Sequence, residues 1–228
     1  MDILATIQSV VKSINDVLWG PPMLILLFGT HIFLTIRTGF IQRKTFKAIK
    51  LSVTKDNEVD GDISPFQALT TALASTIGTG NIVGVATAVG ILSGGPGALL
   101  WMWIAAFFGM ATKYAEGFLA IKYRKIDADG HVLGGPFYYI ENGMGKKWKW
   151  LAKIFAFFGA CVGIFGIGTF SQINGIASAV QNFFDPGRTN TVNFFGNEYT
   201  WAVIISGLLV TVCAGLVIIG GIKRISGV

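Results

Sequence analysis

The sequence predicts an all-α integral membrane protein, and three observations carry that prediction. Of the 228 residues, 52% are hydrophobic and 13% charged, with a mean hydropathy of +0.61, a balance that a water-soluble domain does not carry. Four stretches, 17–36, 97–121, 151–182 and 201–221, are long and apolar enough to cross about 30 Å of hydrocarbon at roughly 1.5 Å per helical residue. A fifth, 64–93, has the length but is interrupted by glycines. Finally, the basic residues alternate from loop to loop.

That alternation decides what the net charge of +6 and the pI near 9.4 mean. In a soluble chain they would point to nucleic acid. Here Arg37, Arg43, Lys44, Lys47, Lys50 and Lys55 fall between the first two spans. Lys122, Arg124, Lys125, Lys146, Lys147, Lys149 and Lys153 fall between the third and fourth, and Lys223 and Arg224 follow the fifth. With five spans, 15 of the 18 Lys and Arg lie on one side, and the positive-inside rule places the amino terminus outside and Val228 in the cytoplasm. A nucleic-acid partner is excluded by this distribution, and a plasma-membrane, multi-pass protein is expected.

The first span is too long for the apolar core of a signal peptide and carries its charges on the carboxyl side, so it is expected to remain a span. Ahead of it, Ile3, Leu4, Ile7, Val10, Val11 and Ile14 recur at helical spacing, which predicts a short amphipathic helix on the outer surface. All six Trp fall within about two turns of a span end, where amphipathic rings prefer to sit. Cys161 and Cys213 lie within separate spans and read as small core residues. The acidic run Asp56 to Asp62 has nearly the register of a calcium loop, but its twelfth position is Gln67 rather than Glu. Ser64-Pro65-Phe66-Gln67 is better read as a capping box that starts a helix, with Pro65 at its first position. The segment 136–143, aromatic and too short to span, is expected to lie along the cytoplasmic interface.

The informative stretch is Ala74-Ser75-Thr76-Ile77-Gly78-Thr79-Gly80-Asn81-Ile82-Val83-Gly84, in the middle of the fifth span. An unwound turn at the bilayer centre is tolerable only where it faces protein or a polar cavity, because bare backbone groups in lipid cost several kcal/mol each. The first half-helix then ends in free carbonyls near Ala74, Thr76 and Ile77, which suit a cation. The second begins with free N–H groups near Thr79, Gly80 and Asn81, which suit an anion. A zwitterionic amino acid beside a sodium ion matches both ends, and glycine backbone favours a small ligand. Two plainer readings compete: Gly80-x-x-x-Gly84 and Gly90-x-x-x-Gly94 as packing ridges between helices, and a kink without a ligand. Against the second, Asn81 is a buried amide that needs partners and offers a carbonyl oxygen. A dinucleotide fingerprint is excluded by the spacing of the third glycine and the lack of a preceding strand.

Four motifs taken together, Ser75 to Gly84, Ser93-Gly94-Gly95-Pro96-Gly97-Ala98, Ala111-Thr112-Lys113-Tyr114-Ala115-Glu116 and Gly134-Gly135-Pro136-Phe137-Tyr138-Tyr139-Ile140, resemble the sodium:alanine/glycine symporter family over essentially the whole chain. The resemblance implies a LeuT-type broken-helix transporter fold, of which this chain is the first repeat plus an extra N-terminal helix, in a single membrane domain. It implies that substrate is held at Thr76, Gly78, Thr79, Gly80 and Gln172, with the Thr79 and Gly80 N–H groups taking the carboxylate. It further implies that the Thr76 carbonyl and Asn81 side chain join a first sodium site, and the Ala74 and Ile77 carbonyls a second. Proton coupling remains open beside sodium. Family members are about twice as long and pair two inverted repeats around the site, so a missing C-terminal repeat, or a second chain, is an implied partner beside the lipid bilayer and a small amino acid, alanine or glycine.

Other residues carry weaker signals. Ser171 and Asn174 flank Gln172 on the fourth span. Lys113 and Glu116, three apart on a helix, are neighbours that neutralise one another, snorkel or gate. His31 reads as a hydrogen-bonded packing residue. A non-transporting membrane subunit, assembled through its glycine ridges, is the alternative to a carrier. An enzyme is not expected, since the spans hold no plausible nucleophile, metal-ligand or paired-carboxylate set.

Overall fold

The computed structural model of the chain describes residues 3–54, 63–91, 94–166, 168–194, 196–221 and 225–226. The acidic run 56–62, and with it the calcium-loop register, lies outside the described residues, as do Lys55, Lys223 and Arg224.

Helix α1 (Ile3–Leu18) is amphipathic and ends at Trp19-Gly20. A Cβ on Gly20 would stand 2.9 Å from the Asp16 carbonyl, so the chain turns there on a residue without a side chain. Pro21 and Pro22 then open α2 (Pro21–Arg37), whose first turn needs no proline N–H. Val17 and Leu18, assigned from sequence to the first span, therefore belong to the preceding helix. Gly39 and Phe40, both at positive φ, close α2. A short 3₁₀ turn at Ile41–Lys44 leads into the basic helix α3 (Thr45–Val53).

The capping box opens α4 (Pro65–Thr76): Ser64 Oγ accepts from the Gln67 N–H at 3.3 Å and Gln67 Oε1 from the Ser64 N–H at 3.0 Å. After the break, the chain continues as wide π-helical turns at Gly80–Gly84 and Thr87–Ile91. Helix α5 (Gly95–Lys122) is the longest, at 28 residues, or roughly 42 Å. Helix α6 (Pro136–Gly143) covers the short aromatic segment 136–143.

The apolar run 151–182, expected as one span, is built from two helices, α7 (Lys149–Ile164) and α8 (Thr169–Phe184). Gly166 and Gly168, both at positive φ, form the turn between them, because a left-handed backbone is open to glycine and strained for other residues. Helix α9 (Trp201–Ile218) ends the described fold. The described helices are long and apolar enough to cross a membrane four times, or five if the bent pair at the break is one span.

All the apolar segments are helical, but the loops add two hairpins that an all-α reading leaves out. Strands β1 (Lys125–Ile126) and β2 (Val132–Leu133) pair around a turn at Gly130. Strands β3 (Thr191–Phe194) and β4 (Asn197–Thr200) pair antiparallel with Thr191 opposite Thr200 and Asn193 opposite Glu198. Their Thr, Val and Tyr content suits strands, though each is too short to give a clear alternation.

Packing is by neighbours: α2 runs along α5, α6 against α7 and α8 against α9. His31 Nδ1 lies 2.7 Å from Thr112 Oγ1, linking α2 to α5. Gln42 Nε2 donates to Thr35 Oγ1 at 3.0 Å and to the Phe107 carbonyl at 3.1 Å, anchoring the 3₁₀ turn to the same pair. Between α6 and α7, Lys149 and Glu141 pair at 2.8 Å, and that hydrogen bond holds the Glu141 carboxyl below its ordinary range. Among the described residues only Ala111 and Ala152 are buried apolar side chains. The large apolar residues point outward, as a surface meant for lipid or for further protein requires.

Candidate functional site

The break begins where Ser75 and Thr76 turn their hydroxyls onto the same carbonyl. Thr76 Oγ1 donates to the Ala72 carbonyl at 2.7 Å and Ser75 Oγ at 2.9 Å, so the last turn of α4 competes with its own side chains. Ile77 then adopts an extended backbone (φ −78, ψ 120), and the axis of Pro65–Thr76 turns by 60° to that of Gly80–Gly90. Among the described residues, no donor from outside α4 reaches the carbonyls of Ala74 or Thr76, and the N–H groups of Thr79 and Gly80 meet no acceptor. Two ends of opposite partial charge, each about half an elementary charge, thus stand a few residues apart.

Asn81 holds the break in shape. Its Oδ1 accepts from the Gly78 N–H at 3.0 Å while its own N–H donates to the Gly78 carbonyl at 3.0 Å. One lone pair of the amide oxygen is thereby used. This double tie was not visible in the sequence, which marked Asn81 as a buried amide needing partners; in this chain the residue is exposed and its partner is the neighbouring Gly78 backbone.

Helix α8 packs across the break through two close approaches. A Cβ on Gly78 would stand 2.9 Å from Gln172 Nε2, and a Cβ on Gly175 would stand 2.7 Å from Thr79 Cγ2. The glycines at 78 and 175 are there because the partner side chain already fills the space. Gly80 and Gly84 differ, since a Cβ on either meets nothing within 4 Å. Within this chain they make no packing ridge. They line instead a cleft of about 540 Å³ with Thr79, Val83 and the face of α8 that carries Ser171, Asn174, Gly175 and Ser178.

The structure therefore brings Gly78, Thr79, Gly80, Asn81, Gln172, Ser171 and Asn174 together around one break, with Ala74, Thr76 and Ile77 at its edge. Ser178 and Asn182 also line the cleft and were missed in the sequence. Their signal was present, as small polar residues recurring at 171, 174, 178 and 182 along one face of an otherwise apolar helix. His31 is occupied by Thr112 and stands on the α2–α5 pair. Lys113 and Glu116 pair with each other at 2.9 Å on α5. Among the described residues no three His, Cys, Asp or Glu gather as a metal site.

A multi-pass helical bundle with a helix that breaks at Ile77 and reopens at Thr79 and Gly80 onto a cleft beside a neighbouring helix is the architecture of a membrane transporter site. The chain belongs to the sodium:alanine symporter family, whose model matches residues 4–228. It is 50% identical, over 95% of its length, to the sodium/alanine symporter AgcS of Methanococcus maripaludis, of which it covers 45%. It is 51% identical over 97% of its length to an uncharacterized transporter of Haemophilus influenzae, covering 44% of that protein. A probable sodium/glutamine symporter, GlnT of Bacillus subtilis, is 34% identical over 96% of the chain, which covers 42% of it. The chain thus spans less than half the length of these relatives.

Proposed function

We propose that this chain is the leading helix and first repeat of a LeuT-type carrier that moves a small neutral amino acid, alanine or glycine, together with sodium across the plasma membrane by alternating access. The observation that carries the proposal is the pair of bare helix ends at Thr76 and Thr79, the second of which opens with Gly80 onto the cleft shared with α8. The amino-acid carboxylate sits on the Thr79 and Gly80 N–H groups, where the positive end of the second half-helix favours an anion. Glycine at 78 and 80 lets the substrate reach the backbone, and Gln172 stands over Gly78 to meet the polar end of the ligand. A sodium ion takes the carbonyl of Thr76 and the spare lone pair of Asn81, and a second takes the Ala74 and Ile77 carbonyls with oxygens of the other repeat. The name of AgcS supports alanine as substrate, and the glycine-lined backbone supports a small side chain.

Bound together, ion and zwitterion satisfy groups that are costly to leave bare in hydrocarbon. Either one alone leaves one half-helix end unpaired, which couples their binding. Sodium-driven uptake of alanine into vesicles is expected for the carrier that joins this chain to its second repeat, and none for the 228 residues alone. Uptake that follows a proton gradient and ignores sodium overturns the ion assignment. Uptake by the 228-residue chain by itself overturns the need for a second repeat.

The orientation follows from the basic loops. With Cys161 and Cys213 replaced, single cysteines at Gly95 and Asn190 are expected to react with an impermeant thiol reagent from outside, and one at Asp129 only after permeabilisation. The reverse pattern inverts the topology and the direction in which the cleft faces.

A further inference from the structure

Helix α3 packs on α4 while the 3₁₀ turn before it packs on α5, and among them lies a cavity of about 950 Å³. It shares no residue with the cleft at the break. We propose that this cavity holds an anionic glycerophospholipid of the cytoplasmic leaflet, its phosphate on Lys44 and Lys47 and an acyl chain against α4 and α5. The site is independent of the symport function proposed above.

Three observations point there. The wall is apolar and comes from three helices: Ile49 and Leu51 on α3, Leu69 and Leu73 on α4, and Met110 on α5. Ile49, Leu51 and Leu73 are exposed, so what covers this wall comes from outside the described fold. An acyl chain, flexible and without polar groups, follows a wall of this kind and asks for no hydrogen bonds.

The second observation is charge. Lys44 and Lys47 line the same cavity three residues apart, a spacing that brings side chains together on one side of a helical turn. Neither has an ion-pair or hydrogen-bond partner among the described residues. Lys113 lines the cavity too, but Glu116 balances it at 2.9 Å. Two cations are thus left uncompensated beside an apolar wall that includes no carboxylate among the described residues. Lysines next to a span attract anionic headgroups, which are concentrated on the cytoplasmic leaflet, the side to which the basic loops assign this one. A protein segment closing over the wall strands both ammonium groups unless it brings acids to meet them. A lipid carries tail and anion in one molecule.

Third, Gln42 lines the cavity with its amide half satisfied. Its Nε2 donates to Thr35 and to the Phe107 carbonyl, while Oε1 is buried and has no donor. The hydroxyls of Thr45 and Ser52, on the same wall, are already given to the carbonyls of Gln42 and Ile49. A buried acceptor without a donor is costly, and the glycerol hydroxyls of a phosphatidylglycerol headgroup are donors.

The test uses the carrier that joins this chain to its second repeat, purified in detergent and offered phosphatidylglycerol or phosphatidylcholine with the same acyl chains. Retained lipid is read by native mass spectrometry. Wild type is expected to hold one phosphatidylglycerol at least tenfold more tightly than phosphatidylcholine, and inorganic phosphate, an anion without a tail, is expected not to displace it. The double variant Lys44→Gln, Lys47→Gln is expected to erase the preference. Lys146→Gln with Lys147→Gln, an equal loss of charge outside the cavity, is expected to keep it. Ala48→Trp fills the cavity from an exposed position on α3 with both lysines in place. It is expected to expel the lipid while the unfolding midpoint stays near wild type, which guards against a charge variant that fails to fold. Equal retention of the two lipids, or a preference that survives both cavity variants, overturns the site. So does a preference lost equally with Lys146 and Lys147, which reduces it to general surface charge. A wild-type carrier that retains no lipid overturns it too, and places the second repeat over the wall. None of these outcomes touches the symport reading, which alanine uptake tests separately.

Discussion

Gly80→Leu is expected to abolish alanine binding in the complete carrier while leaving the protein folded. A glycine-to-leucine change in a membrane helix ordinarily confounds two effects, because a packing ridge and a ligand site both fail when a side chain is added. Within this chain the structure separates them at this position. A Cβ on Gly80 meets nothing within 4 Å, and the residue borders the cleft it shares with Ser171 and Asn174. The new side chain therefore occupies the space above the Thr79 and Gly80 N–H groups, where the carboxylate is proposed to sit, without displacing α8. Equilibrium alanine binding is expected to fall at least about a hundredfold, roughly 2.7 kcal/mol. The elution volume and unfolding midpoint in detergent should stay near wild type. Wild-type affinity in Gly80→Leu would remove the carboxylate from this end of the break. Gly175→Leu makes the contrast, since its Cβ runs into Thr79 Cγ2 at 2.7 Å and is expected to disturb packing as well as binding.

Asn81→Leu is expected to raise the sodium concentration for half-maximal alanine binding at least tenfold, about 1.4 kcal/mol. The hydrogen bond from the Gly78 N–H to Asn81 Oδ1 at 3.0 Å makes leucine alone an ambiguous test. Leucine removes a cation ligand and also a bond that shapes the break, itself worth about 0.5–1.5 kcal/mol. Asn81→Asp resolves this, because an aspartate oxygen still accepts from the Gly78 N–H and still faces the cation, now with a full negative charge. Sodium affinity is expected to collapse in the leucine variant and to hold or rise in the aspartate variant. If both variants lose sodium dependence equally, the amide nitrogen matters and the oxygen is not a ligand. If neither changes it, Asn81 serves the shape of the break alone.

Much of this protein is decided along the chain. The spans follow from apolar length, because a helix in hydrocarbon must satisfy its own backbone and needs enough residues to cross. The start of α4 is written in Ser64, Pro65 and Gln67, whose hydrogen bonds reach only three residues. The discontinuity at Gly78-Thr79-Gly80 is local too, being a failure of the helix ladder, and the charge of its two ends follows from the direction of the peptide dipoles.

What lies across the break depends on the rotation of one helix against another, and no local pattern carries that. Gln172 over Gly78, and Thr79 against Gly175, exist because α8 presents that face at that height; a shift of one residue would turn the side chains by about 100°. The turn at Gly166 and Gly168, which divides the run 151–182 into two helices, was hidden because glycine is also ordinary in membrane helices. The cavity lined by Arg188, Glu198 and Thr200 was hidden for a further reason: these residues come from a turn, a strand and a helix cap, and the β3–β4 pairing brings their separate signals to one place. The sequence by itself determined that this chain spans a membrane and breaks a helix within it. The tertiary structure decided which side chains face that break, since facing is a property of two helices and neither encodes it alone.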